Sequence, residues 1–289
     1  CSTLFENRSR RRRRDMALTP KKMRSMATTL LTYVLVLIWI FPVYYMVTTS
    51  FKVEESVIPP SLLIEKFTFN NYEIVLNAKI LSHVNNSIIV TVISVLLCVA
   101  IGVPAAYRIV FGRMKNPDNM YFWFVSTQLL PPCAVLIPAF LALKTLGMLD
   151  TQVGLILLYV GIHTPLIIWM VTSFFKDVPL EILEAASIDG CTKTYAFFRL
   201  IVPLTKAGIM SASLLTFVFI WNEFFFAVNL TAINANTLPV YMASFMTQEG
   251  LFWAKLSAIS TVSIMLPVIL GIISQKYLVE GLTMGAVKG

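Results

Sequence analysis

The sequence predicts an all-α, polytopic membrane protein with six transmembrane helices. Two features of composition and one of pattern carry this expectation. Of 289 residues, 57% are hydrophobic and 13% charged, about half the charged fraction of a soluble domain. That much apolar surface exceeds what one soluble core of this length can hide. Runs of roughly 20 mainly apolar residues recur, the length a helix needs to cross about 30 Å of hydrocarbon. The short alternating strands of an outer-membrane barrel are not evident.

The chain opens on a basic tail, residues 1–26, with Arg8, Arg10 to Arg14, Lys21, Lys22 and Arg24. Such a run is usually solvated and disordered, and beside a first span it favours the cytoplasm for its end. Met16 is a candidate natural start, with residues 1–15 an upstream remnant. A lipid anchor on Cys1 is not expected, since no cleavable apolar segment precedes it. The other cysteines, Cys98, Cys133 and Cys191, lie in or beside apolar segments without paired spacing, so neither disulfides nor a metal site is expected.

The first span is expected at residues 27–49. A more polar stretch, 50–82, follows, long enough for short helices resting on the outer face. The second span, 84–107, runs into Arg108, Arg113 and Lys115. The third, 121–143, contains Pro131, Pro132 and Pro138, which remove backbone donors and kink a helix. Such breaks persist in a membrane only where protein or water re-satisfies the backbone. A short turn, 144–150, leads to the fourth span, 153–175. The longest polar interruption of the second half, 176–206, precedes the fifth span, 207–230. A polar segment, 231–255, then leads to the sixth, 256–274, and a short tail ending at Gly289.

Six spans put both termini on one side. Eighteen of the 23 basic residues fall in the two tails and in the loops after spans two and four. The positive-inside rule therefore places both termini and the 176–206 loop in the cytoplasm. The net charge of +8 is read as this orientation signal and not as affinity for nucleic acid.

Within that loop Pro179 suits a helix start, and Glu181 and Glu184 favour its first turns. Gly190 permits a turn that a side chain would hinder. Thr192 can cap a second segment, 193–202, and Pro203 marks the change into the fifth span. The product is either a compact bent knob or an amphipathic loop lying on the membrane surface.

No Gly-x-x-x-x-Gly-Lys-Ser/Thr loop occurs, so the chain lacks that means of cradling ATP phosphates. His83 and His163 lie far apart in sequence and form no catalytic or metal constellation. Polar groups inside spans are costly and tend to face a bundle interior. Gln128, His163, Asn222 and Glu223 are therefore either interhelical ties or parts of a translocation path, with Glu223 the best single candidate for a gate.

Glu184-Ala185-Ala186, then three residues, Asp189 the last of them, Gly190, nine more residues and Leu200-Ile201-Val202-Pro203 resemble the EAA signature of inner-membrane permeases of bacterial ATP-binding-cassette importers. Leu200 and Val202 depart conservatively from the usual Ile-x-Leu-Pro ending. Ser50-Phe51-Lys52, Trp221-Asn222-Glu223, Gly281-Leu282-Thr283 and Gly285 to Gly289 are similar to the MalG-like branch that imports carbohydrates. The likeness covers nearly all of residues 27–289 and implies the type I importer permease fold.

It also implies a set of roles. Glu184, Ala185, Ala186, Asp189, Gly190, Pro203 and Gly289 would contact or shape the contact with the ATPase pair. ATP and Mg would sit on those partner subunits, with no cofactor on this chain, which is not itself an enzyme. Leu238, Pro239 and Val240 would face a periplasmic solute-binding protein. A second, MalF-like permease would complete the pathway within the bacterial inner membrane, surrounded by lipid. Oligosaccharides, including acidic ones of the alginate type, are the expected cargo. A non-sugar solute such as glycerol-phosphate or a polyamine, a secondary transporter and a membrane scaffold without transport are the alternatives.

Overall fold

The computed structural model describes residues 20–76, 78–112, 114–247 and 250–286. The basic run and Gly289 lie outside them. The chain is a helical bundle with one two-residue hairpin, β1 (Met246–Thr247) and β2 (Gly250–Leu251), in the stretch between the last two spans.

Helix α1 (Pro20–Ser50) covers the first expected span and is followed by a 3-10 turn, Glu54–Ser56, and α2 (Asn70–Val75). Its exit is tightly tied. Asn71 Nδ2 donates to the carbonyls of Ser50 and Lys52 at 2.9 and 2.7 Å. The Lys52 side chain is buried, donates to the Ser61 carbonyl and lies 5.4 Å from the Tyr45 ring centre.

Helix α3 (Ala78–Phe111) and helix α6 (Gln152–Lys176) form the central pair. They run in the same direction, because Gln152 Nε2 at the start of one donates to Asn86 Oδ1 near the start of the other, at 2.6 Å. Gly102 lets them close: a Cβ there would sit 2.7 Å from Ile167 Cγ2.

Between them the third expected span is not one kinked helix. It is α4 (Pro117–Thr127) and α5 (Pro132–Thr145), bent by 90° at a break over residues 128–131. Pro131 and Pro132 withhold the two N–H groups that a continuous helix would need there.

The fifth expected span is also interrupted. Helix α10 (Lys206–Trp221) stops at Asn222, and α11 (Phe225–Leu230) restarts three residues on. The sixth helix, by contrast, is longer than expected. Helix α13 (Trp253–Ala286) runs twelve residues past Ser274 into what composition suggests is a tail. Glu54 Oε1 accepts from Ala254 N at 3.0 Å and so caps its first turn. Among the described residues four helices are long and apolar enough to cross a membrane, and up to six spans result if each bent pair counts as one.

Among the described residues three apolar clusters hold the bundle. At one end Cys98, Val103, Ile167, Phe175, Phe197 and Ile201 pack together. Toward the opposite end lie Val90, Leu143, Leu155, Tyr159, Ile220 and Phe226. A third gathers Val75, Ile80, Phe217, Trp221, Leu238 and Ile259.

Candidate functional site

Three places merit a functional reading: the connector after α6, the paired breaks within the bundle, and the latch at the opposite end.

The connector folds as a bent knob. Helix α7 (Leu180–Ile188) starts after Pro179 and ends in a turn closed by Cys191 N donating to the Ala186 carbonyl at 2.9 Å. Gly190 has φ +79°, and a Cβ added there would meet nothing within 4 Å, so backbone conformation alone calls for glycine. Thr192 accepts from Tyr195 N and caps α8 (Lys193–Ala196), which continues through a π turn, Phe197–Ile201, into α9 (Val202–Leu204). Pro203 sits inside α9. The 76° bend into α10 falls at Thr205 instead, two residues later than expected.

The knob is seated by its underside. Ala186, Ala196, Phe197 and Ile201 are buried, with Phe197 against Tyr107 at 4.9 Å between ring centres. Ala186 therefore belongs to the seat, a correction to its expected place on a docking face. Glu184, Ala185, Asp189 and Gly190 are exposed, as are Ile188 at 86%, Tyr195 and Phe198. Those three apolar side chains escape sequence reasoning, since their helical spacing looks the same whether they face the core or not.

The breaks within the bundle meet around Tyr159. Its hydroxyl donates to Glu223 Oε2 at 2.6 Å. Glu223 also accepts from Phe226 N at 2.9 Å and Ala227 N at 3.2 Å, capping the first turn of α11 with its own side chain. Glu223 is thus not the unpaired carboxylate that would mark it as a free gate. The Tyr159 ring lies 6.3 Å from the His163 ring, which stacks on Phe219 of α10. Gln128 at the other break donates to the Ile162 carbonyl at 2.7 Å, beside the turn that Pro165 disturbs. A groove of about 450 Å³ opens here between Gln128, Pro132, Leu158, Gly161 and Phe226.

Asn222 turns away from this groove. It lines a second one of about 360 Å³ with Phe224, Pro239 and Met242. Three of the four expected path residues therefore converge on one helix, α6, and the fourth faces elsewhere. Tyr159, the hub, is absent from the residues that sequence reasoning singles out. Its position four residues before His163, on the same helix face, is the available signal.

The opposite end of the bundle holds a feature no motif announces. Asp150, at φ +55°, accepts from four successive backbone N–H groups, Ala232 to Ala235, at 2.8–3.2 Å. It also accepts from Asn234 Nδ2 at 2.9 Å. Partial burial acts to raise the Asp150 carboxyl. The N–H groups of Ala232, Asn234, Ala235 and Ile233 outweigh it and bring the group down from 3.8 to about 2. Asn86 Nδ2 donates to the carbonyls of Asn234 and Asn236, and Ser87 Oγ accepts from Leu238 N. His83 Nδ1 lies 3.1 Å from the Asn236 carbonyl oxygen and its ring stacks on Tyr241. Helix α12 (Leu238–Ala243) follows. Leu238 is 1% exposed and packed in the third cluster, so it cannot meet a soluble partner in this conformation. Pro239 and Val240 are half-buried.

Bent spans re-satisfied by side chains, with a polar knob at one end and a tied loop at the other, define a polytopic helical membrane protein of the transporter type. The chain belongs to the family of binding-protein-dependent transport system inner membrane components, whose model matches residues 98–283. It is therefore an inner-membrane protein. It is 33% identical to the trehalose transport system permease protein SugB of Mycobacterium tuberculosis, over 86% of this chain and 93% of that one. It is also 33% identical to the diacetylchitobiose uptake system permease protein DasC of Streptomyces coelicolor, over 86% and 92%. A crystallised bacterial ABC transporter that imports the acidic polysaccharide alginate contains a chain of the same fold. The TM-score is 0.73 at 22% identity, covering 89% of this chain and 97% of that one.

Proposed function

We propose that this chain is one of two permease subunits of an ATP-driven importer of carbohydrate. The observation that carries the reading is the family match together with full-length relatives whose named cargoes are disaccharides. Six spans, two of them broken, would place both termini and the knob in the cytoplasm, as the distribution of basic residues favours. The exposed Glu184 and the apolar Ile188, Tyr195 and Phe198 beside it supply a face that fits a cleft on an ATPase subunit. Asp189 and Gly190 give that face its bend. Gly289, outside the described residues, is retained as a further contact with the ATPase pair. ATP and Mg belong to those subunits. A second permease, a periplasmic solute-binding protein and surrounding lipid complete the assembly.

Cargo would pass the groove beside Gln128 and Phe226, where an aromatic face, the Gln128 amide and the Thr127 hydroxyl suit the C–H faces and hydroxyls of a sugar. His163 and Glu223 would act by fixing the walls of that path, while Asn222 faces the second groove. A disaccharide is favoured over an alginate-type oligosaccharide, because the alginate likeness is one of fold.

Deleting the chain in its host and measuring ATP-dependent uptake of labelled disaccharides, uronate oligosaccharides, glycerol-phosphate and spermidine tests this reading. Loss of disaccharide uptake, restored by the wild-type chain, is expected. Uptake that persists when the partner ATPase is inactivated would overturn it in favour of a secondary transporter. A Glu184→Cys variant should cross-link to the ATPase with a yield that changes with ATP.

A further inference from the structure

Helix α6 carries a glycine that nothing among the described residues calls for. Gly161 lies mid-helix, where glycine holds a helix less firmly than alanine. Elsewhere the reason for glycine is a close neighbour: a Cβ at Gly208 would sit 2.2 Å from the Phe174 ring, as one at Gly102 would meet Ile167. At Gly161 an added Cβ would meet no packed neighbour within 4 Å, and the backbone is ordinary helix. The residue is exposed, and the space beside it is the groove of about 450 Å³ that Thr127, Gln128, Leu157 and Phe226 also line. We propose that Gly161 is the clearance residue of the cargo path, leaving room for a saccharide ring to pass between α6 and the break at residues 128–131. This rests on the importer reading above and adds to it the residue that sets how bulky a cargo can pass.

Three observations favour a saccharide over lipid or a packed helix. The break is level with the middle of α6, since Gln128 donates to the Ile162 carbonyl. Irregular backbone at such a depth persists only where protein buries it or where it lines water. Leu129 and Leu130 are 81% and 56% exposed, so this chain does not bury the break. The groove wall joins the Thr127 hydroxyl and the Gln128 amide to the Phe226 ring. A sugar has hydroxyls and C–H faces for both kinds of group, whereas an acyl chain answers only the ring. The volume also falls within the range of about 300–1,000 Å³ common to small-molecule sites. Gly271 on α13 supplies a contrast: a Cβ there would likewise meet no packed neighbour, yet it lines neither groove.

The test uses the whole importer in proteoliposomes with its own substrate-loaded binding protein, following uptake of labelled disaccharide and ATP hydrolysis together. Gly161→Ala should melt no lower than wild type, because alanine favours the helix, and yet carry less sugar per ATP. Gly161→Leu should lower the sugar carried per ATP at least about tenfold, the scale of overpacking a close fit, while hydrolysis still responds to loaded binding protein. Adding Leu157→Ala, one turn earlier on the same face of α6, should recover most of that loss by returning room to the groove. Gly271→Ala should leave sugar per ATP unchanged. Unchanged sugar per ATP in Gly161→Leu, whether both rates hold or both fall, overturns the proposal. Loss of the second permease on purification of that variant also overturns it, by assigning Gly161 to the contact between the permeases. Failure of the wild-type importer to take up any disaccharide would instead defeat the importer reading.

Discussion

Glu223 offers the sharpest test of how the broken fifth span is held. Replacing it with alanine strands three donors: the Tyr159 hydroxyl and the N–H groups of Phe226 and Ala227. A buried unsatisfied donor costs about 1–3 kcal/mol. Asn222 and Phe224 beside the break are exposed, so water can relieve part of this, and about 3 kcal/mol in total is a reasonable expectation. At about 2–3 °C per kcal/mol for a chain of this size, Glu223→Ala should melt about 6–9 °C below wild type. Tyr159→Phe removes a single hydrogen bond to a charged acceptor and should cost about 1.5–2 kcal/mol. The pair should be coupled, with a double-mutant interaction of about 1–2 kcal/mol. Intrinsic tryptophan fluorescence of the detergent-purified complex during heating gives these values. A melting point for Glu223→Ala within about 1 °C of wild type, or strictly additive single mutants, would refute the claim that this carboxylate caps α11 and ties it to α6.

Further expectations follow from the other sites. Stability contributed by Asp150 is complete above pH 3.8 and is lost as pH falls through about 2, because the folded state holds the carboxyl below its ordinary value. Asp150→Asn should therefore cost about 1 kcal/mol at neutral pH, discounted for solvent screening, and its melting point should converge with wild type on acidification; a gap that persists at pH 2 counts against the nest. At Gly190, Asn should be tolerated better than Ala and Ala better than Val, since the constraint is a left-handed backbone without a steric clash; equal ATP-coupled transport in all three would remove the bend from the coupling account. Leu238→Ala should destabilise by about 2–5 kcal/mol as a core truncation, while Pro239→Ala should be far milder, and the reverse order in melting temperature would contradict the packing described.

The long apolar helices are legible in the sequence because apolar runs of that length permit little else. Helix starts at Leu180 and Lys193 are legible because Pro179, Thr192 and early glutamates act locally. The break at residues 128–131 is half legible: Pro131 and Pro132 announce a lost pair of donors, yet nothing local sets a 90° bend. The break at 222–224 has no proline or glycine and depends on Tyr159, more than sixty residues away. Asp150 is invisible for the same reason, since its partners lie 82–85 residues on. The extension of α13 past Ser274 is hidden because its polarity resembles that of a tail, whereas Gln275 to Glu280 form helix readily.

One unbroken element connects the two ends. Helix α6 begins at Gln152, two residues after Asp150, and ends at Lys176, three residues before the knob's Pro179. Its 25 residues give a rod about 37 Å long. A tilt of about 10° about one end would carry the other through about 6 Å, more than one helical turn of rise. A displacement of the knob by that distance is therefore felt at Asp150 as a change of angle, and the loop carrying Ile233 must either turn with the rod or give up its hydrogen bonds. The molecule has the proportions of a seesaw, with the knob on one seat and the Asp150 latch on the other.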